Sequence, residues 1–201
     1  MTGITHGTAL WYASRATGVV TMLLLTAVVL LGILVNRQGR LPGLPGFAVT
    51  GLHRNVSLLA VVFLAIHVLT AIADPYVTIG LAAAVLPFAS AYQPLWLGLG
   101  AISLDLIGAL ILTSLARARM SRRAWRGIHW LAYAAWPLAV VHSLGSSSDA
   151  RGGLVLGVLA GCVLATLAAL AWRLSHAARE IPRAGRAAAT LSRMSARKAD
   201  L

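Results

Sequence analysis

The sequence predicts an all-α fold, a polytopic membrane helix bundle of about five transmembrane helices. Hydrophobic residues make up 59% of the 201, only 11% are charged, and the mean hydropathy is +0.81. This is the composition of a membrane protein, not of a soluble core. The net charge is +12, but the basic residues crowd between apolar stretches and in the tail. Nucleic-acid binding explains that distribution poorly, whereas membrane topology requires it.

The first predicted helix runs from about Leu10 to Val35. Trp11 and Tyr12 are placed for a belt of aromatic side chains at the membrane interface. Arg15 lies about one turn inside the apolar region, where a charge is unusual. The Pro- and Gly-rich segment 36–46 then predicts a loop.

The second predicted helix spans Leu52 to Ile72, and the third spans about Leu95 to Leu115 with Asp105 inside it. Between them, residues 76–92 are apolar but contain Pro87 and are short for a span. We expect this segment to be a surface or re-entrant element.

The fourth predicted helix is Trp125–Leu144, interrupted by Pro137, and the fifth is Leu154–Trp172. Three glycines at four-residue spacing predict a face that packs closely on a neighbouring helix. They are Gly153, Gly157 and Gly161. Cys162 is the single cysteine, so no intramolecular disulfide forms, and packing is its expected role.

Basic residues follow the first, third and fifth helices, so the positive-inside rule places the N-terminus outside and the C-terminus in the cytoplasm. We expect a transmembrane bundle over residues 1–175 and a basic cytoplasmic tail over 176–201. The predicted location is a bacterial-type plasma membrane, with the chain as a multi-pass protein in contact with lipid.

Two of these helices carry a pair of histidines each. His53 and His67 are fourteen residues apart, which is about 21 Å along a helix and within about 40° of the same face. His129 and His142 are thirteen apart on the fourth helix. Because the predicted topology makes these two helices parallel, His53 and His129 share the inner leaflet, and His67 and His142 share the outer leaflet.

A zinc site requires three or four ligands at one point, whereas these histidines converge on two points. Two imidazoles on opposite sides of a haem iron fit each point, and no CxxCH motif is present for covalent attachment. We therefore predict two non-covalent haem b groups with bis-histidine ligation. Thirteen residues of ideal helix rotate His142 about 140° from His129. Pro137 either kinks the helix, so that His142 faces the same side as His129, or is an ordinary membrane-helix proline.

Charged residues near these depths have two possible roles each. Arg15 either binds a haem propionate at the outer site or extends to the headgroups. Arg54 and Arg126 flank the inner histidines and either bind propionates or anchor the cytoplasmic side. Asp105 either belongs to a proton or propionate network or pairs with Arg15.

The histidine segments LHRNVSLLAVVFLAIH and WRGIHWLAYAAWPLAVVH resemble the ferric reductase-like transmembrane domain family. The resemblance covers about residues 10–145 and implies b-type haems that carry electrons across the membrane. Relatives of the oxidase and ferric reductase type continue into flavin and nicotinamide domains. Only residues 173–201 follow Trp172, without a GxGxxG motif, so we expect an oxidoreductase component that lacks its own flavin/NADPH domain.

Two classes of function remain open from the sequence. In the first, the chain takes electrons from a cytoplasmic flavoprotein or from quinol and delivers them to an unknown outside acceptor. In the second, it is a non-redox transporter or assembly partner whose histidines handle protons or serve packing.

Overall fold

The computed structural model describes residues 2–36, 45–75, 77, 79–146 and 153–175, with side chains from residue 9 onward. Throughout these ranges the regular structure is helical, without a strand, which confirms the predicted all-α bundle. The predicted cytoplasmic tail, residues 176–201, lies outside the described residues, and so does its boundary with the bundle. So do most of the loop that follows the first helix and the turn before the last one.

Helices α1 (Thr2–Asn36) and α2 (Gly46–Ala73) form an antiparallel pair. Both are longer than the predicted spans. The buried side of α1 contains Thr21 and Thr26 beside Met22. Each threonine hydroxyl donates to the carbonyl four residues earlier in α1, at 2.7 and 2.8 Å. These bonds satisfy the hydroxyls, so both threonines can be buried among apolar side chains.

The predicted surface or re-entrant segment contains one short helix, α3 (Leu81–Val85), followed by irregular backbone. Phe88 has a φ of 66°, a conformation that is uncommon for a bulky residue. Its ring lies directly over Gly98, where an added Cβ would collide with it. Five helical residues cannot cross a bilayer. The expected surface or re-entrant position of this segment stays a prediction.

Helix α4 (Pro94–Leu115) starts with proline at its first turn, where the missing N–H costs no helical hydrogen bond. A 3₁₀ turn (Arg117–Arg119) leads into α5 (Arg122–His129), which is capped by Ser121. The Ser121 Oγ accepts a hydrogen bond from the Ala124 amide at 3.2 Å. Helix α6 (Ala132–Ser146) then packs on α4, and the Ser103 hydroxyl donates to the Ala135 carbonyl at 2.9 Å.

The fourth helix was predicted to be interrupted at Pro137, but its interruption lies earlier in the chain. Trp130 and Leu131 separate α5 from α6, and Pro137 lies inside α6. Around this break, four amides donate to carbonyls three residues earlier, from Trp130 to Gly127, Leu131 to Ile128, Tyr133 to Trp130 and Ala134 to Leu131. A 3₁₀ residue turns about 20° further than an α-helical one, so four of them supply about 80° of the missing 140°. The break thus supplies much of the rotation for which a kink at Pro137 was one of two predicted possibilities.

The last described helix, α7 (Gly153–Ser175), buries Leu159, Cys162 and Thr166. Leu159 packs against Met22 of α1 and Val140 of α6. The predicted glycine face points the other way and is exposed. A Cβ added at any of the three glycines would meet no atom of the described structure within 4 Å. No described helix packs on that face, so this packing prediction is wrong for the described part of the chain.

Four of the described helices are long and apolar enough to cross a membrane, namely Ala9–Val35, Gly46–Ala73, Pro94–Leu115 and Gly153–Ser175. Their outer surfaces remain apolar: α2 exposes 57% of Leu58, 53% of Val62 and 62% of Leu69. Such a continuous apolar surface suits lipid and not water. The chain is a multi-pass membrane protein. A fifth span through α5 and α6, and the orientation of the termini, stay predictions.

Candidate functional site

One large cavity lies between α1, α2, α4, α6 and α7, with a volume of about 740 Å³. His67 of α2 and His142 of α6 both line it, as does Arg15 of α1. The structure therefore brings together the two histidines that were assigned to the outer leaflet. A volume of this size lies within the range of pockets that hold cofactors and other small molecules.

Backbone carbonyls fix the orientation of both imidazole rings in this cavity. The Nδ1 atom of His67 lies 2.8 Å from the Ser14 carbonyl oxygen, and that of His142 lies 2.8 Å from the Trp96 carbonyl oxygen. A carbonyl oxygen only accepts hydrogen bonds, so each Nδ1 carries the hydrogen, and the neutral ring has its lone pair on Nε2. Histidines that bind metals are commonly held in this way, with one nitrogen donating to the protein and the other free for the metal.

Glycines on neighbouring helices make room for these rings. A Cβ at Gly18 of α1 would lie 3.0 Å from His67, and one at Gly100 of α4 would lie 2.7 Å from His142. Gly32 lies against His53, with a distance of 3.6 Å from an added Cβ. Gly18 and Gly32 are fourteen residues apart, the same spacing as the two histidines of α2. This matched pair was visible in the sequence and was missed there.

The second histidine pair, His53 of α2 and His129 at the end of α5, lies at the other level of the bundle. Their ring centroids are 6.4 Å apart, with 69° between the ring planes. A metal–imidazole bond is about 2 Å long, so two rings that bind one ion from opposite sides have centroids about 6 Å apart. The observed separation is close to this value. The Nδ1 atom of His129 is buried without a hydrogen-bond partner in the described structure, whereas the backbone of Val28 lies next to the His53 ring.

An aromatic stack that the sequence analysis did not anticipate supports His129. The Trp125 ring stacks on the imidazole, with centroids 4.7 Å apart and 21° between the planes. The Arg117 guanidinium carbon lies 4.6 Å from the Trp125 ring centroid, which is a cation–π contact. This stack restricts the orientation of His129 from the side of the arginine-rich segment.

The three arginines that were predicted to serve a cofactor differ in their surroundings. Arg15 is half-buried in the cavity lining, and its guanidinium carbon lies 4.2 Å from the Trp11 ring centroid. Arg54 and Arg126 are exposed. Their predicted contact with propionates stays a prediction.

Neither predicted role of Asp105 agrees with the structure. Ser103, Leu104 and Ile107 of α4 line the cavity. Asp105 is exposed on the outside of the bundle, because one residue turns an α-helix by about 100°. It therefore neither enters the cavity network nor pairs with Arg15 there.

Gln93 is a further cavity residue that the sequence analysis missed. Its φ is 43°, and its side-chain oxygen is buried with no hydrogen-bond partner in the described ranges. Backbone in the left-handed region costs free energy in a non-glycine residue, and such residues cluster at functional sites.

No group of three or more His, Cys, Asp or Glu side chains suited to a metal ion occurs in the part of the chain that the structure describes.

Apolar outer surfaces, two levels of paired histidines and a cavity at one level define an α-helical membrane protein with histidine pairs between its helices. The model of the family described as ferric reductase like transmembrane component matches residues 17–140, and the chain belongs to this family. The match includes His53, His67 and His129, and His142 follows two residues later. No curated protein and no solved structure matches the chain.

Membership of this family indicates transmembrane electron transfer in general, and its members generally bind haem. The resemblance seen in the two histidine segments is thereby confirmed at the level of the family.

Proposed function

We propose that the chain conducts electrons across a bacterial-type plasma membrane through two non-covalent b-type haems. His53 and His129 hold the haem near the cytoplasmic side, and His67 and His142 hold the one near the outside. Electrons enter from a cytoplasmic flavoprotein or from quinol and leave to an acceptor outside. This assignment extends the general electron-transfer role of the family to particular residues.

The observation that carries the proposal is the arrangement of the four histidines in two pairs at two levels. One pair has ring centroids 6.4 Å apart, and the other lines a single cavity. Levels fourteen residues apart on α2 are separated by about 21 Å. A packing or proton-handling role does not predict two histidine pairs at two levels. Two separate metal-centred carriers require such pairs.

Haem iron between two imidazoles supplies a one-electron carrier. The residues of the chain hold and orient it. The Ser14 and Trp96 carbonyls keep the Nε2 atoms of His67 and His142 available as ligands, and Gly18 and Gly100 let both rings lie against helix backbones.

Cationic side chains complete the proposed sites. Arg15 is placed in the same cavity as the outer histidines, where a guanidinium can bind a propionate in bidentate fashion. Arg54 and Arg126 flank the inner histidines in the sequence and serve the inner propionates.

The test is the haem content of the chain purified from membranes. We expect about two haems per chain, reduced-minus-oxidised bands of the b type, and complete extraction by acid–acetone because no CxxCH motif is present. A pigment that stays with the polypeptide contradicts non-covalent binding. A haem content near zero in freshly purified membranes ends the proposal and favours the transporter alternative.

A further inference from the structure

Asp105 occupies the middle of α4. Residues 94–104 precede it in the helix, and residues 106–115 follow. At 1.5 Å per residue it lies about 15 Å from either end of α4, close to half the thickness of a bilayer core. A membrane-spanning α4 therefore holds this carboxyl group near the mid-plane of the hydrocarbon.

The carboxyl group points away from the bundle. Asp105 is exposed, and it makes no hydrogen bond or ion pair with any other residue of the described ranges. Lipid tails offer neither hydrogen bonds nor a counter-charge. Ionisable residues at membrane depth are rare for this reason, and they usually face a partner or the interior.

The surface around Asp105 permits close approach of another helix. Gly108 and Ala109 lie one turn further along the same side of α4, and a Cβ added at Gly108 would meet open space. Leu112, 67% exposed, continues this surface. Small residues let two membrane helices come close enough for polar contacts between them. We call Asp105, Gly108, Ala109 and Leu112 the Asp105 face.

We propose that the Asp105 face binds a transmembrane helix of another protein that carries a lysine or arginine at mid-bilayer depth. Charge complementarity selects this occupant, because a cation compensates a carboxylate that lipid cannot solvate. The contact is independent of haem binding.

A second copy of the chain does not supply such a cation. A two-fold interface on this face places Asp105 against Asp105, which offers the carboxyl group no cation. In the described spans, Arg15 faces the cavity, Arg54 lies in the first third of α2 beside His53, and Arg173 lies near the end of α7. None of these arginines of the described spans lies at the mid-point of its helix, as Asp105 does in α4, so we assign the complementary charge to a different protein.

The experiment uses the full chain in phosphatidylcholine vesicles, with a donor fluorophore on a C-terminal tag. The probe is a labelled Leu/Ala transmembrane peptide with one central lysine, and its control peptide has leucine at that position. We expect energy transfer to the lysine peptide only. Asp105→Asn should weaken its binding roughly tenfold, the effect of a strong polar contact between membrane helices.

Two further variants distinguish peptide binding at the Asp105 face from a general effect of polar side chains in the membrane helices. Gly108→Leu keeps the carboxyl group but blocks close approach, so it should weaken binding as well. Leu164→Asn places a polar group at the centre of α7, where Leu164 is 66% exposed, and should leave binding unchanged. Circular dichroism of every variant verifies its helix content. If Asp105→Asn loses helix, Asp105→Glu carries the test and is expected to bind like the wild type.

Equal binding of the lysine peptide to the wild type and to Asp105→Asn overturns the proposal. So does equal binding of the lysine and leucine peptides. Energy transfer between two labelled copies of the chain that is lost in Asp105→Asn, with the lysine peptide unbound, shows a homodimer face instead.

Discussion

At the scale of single residues, the pairing of the histidines was predictable because it follows from their spacing in the sequence. The groups that contact the histidines were only partly predictable. The Gly18–Gly32 spacing was available, but the carbonyls of Ser14 and Trp96 and the stack of Trp125 on His129 depend on how helices distant in sequence meet. The outward direction of Asp105 also required the packing of α4.

Gly100 offers a test of one such support. A side chain at this position would collide with the His142 ring, since an added Cβ lies 2.7 Å from Nδ1. Because the Trp96 carbonyl holds that ring in place, we expect Gly100→Val to displace it and to remove the outer haem while the inner haem stays. Haem content and the reduced-minus-oxidised spectrum measure this.

Gly108→Val is the matched control, because an added Cβ at Gly108 meets open space. Its haem content should equal that of the wild type. Two retained haems in Gly100→Val contradict the assigned position of His142.

At the scale of elements, long apolar runs located the helices because membrane length and composition dominate there. The α5–α6 break was not predictable from hydropathy, since residues 125–144 contain no polar interruption long enough to mark it. The break arises where i→i−3 hydrogen bonds replace helical ones and α6 docks on α4 through Ser103 and Ala135. The exposed glycines of α7 were misjudged because spacing reveals a helix face but not its partner.

Pro137 tests the cause of the rotation between His129 and His142. None of the hydrogen bonds at the break involves this residue, so Pro137→Ala should retain both haems. Alanine restores a backbone donor that proline lacks, so the free energy of unfolding should rise by up to about 1 kcal/mol. Thermal unfolding together with haem content measures both effects. Loss of one haem in this variant would show instead that Pro137 causes the rotation between His129 and His142.

At the scale of the whole molecule, the charge distribution predicts the cytoplasmic side and a docking surface near the inner haem. Arg119 lies just before α5, the helix that ends in His129, and Arg122 and Arg123 are its first two residues; all three side chains are exposed. Their role in topology and in contact with anionic lipid competes with docking of an acidic donor protein.

If a soluble flavoprotein donates electrons, we expect replacement of these three arginines by glutamine to slow haem reduction roughly tenfold. The haem spectrum should stay unchanged. Salt should have the same effect on the wild type, because exposed charges are screened over about 8 Å at physiological ionic strength. Stopped-flow reduction across a salt series measures the rate. Rates indifferent to salt and to the arginines exclude docking at this surface and favour quinol as donor.

The most direct test of the two-level arrangement is the haem that each histidine variant retains. In four separate variants, His53, His67, His129 or His142 is replaced by leucine, and the remaining haem is identified by its reduction potential and spectrum. The account predicts that His53→Leu and His129→Leu lose the same haem, while His67→Leu and His142→Leu both lose the other. His67→Leu and His129→Leu losing the same haem would contradict the pairing and the topology on which it rests.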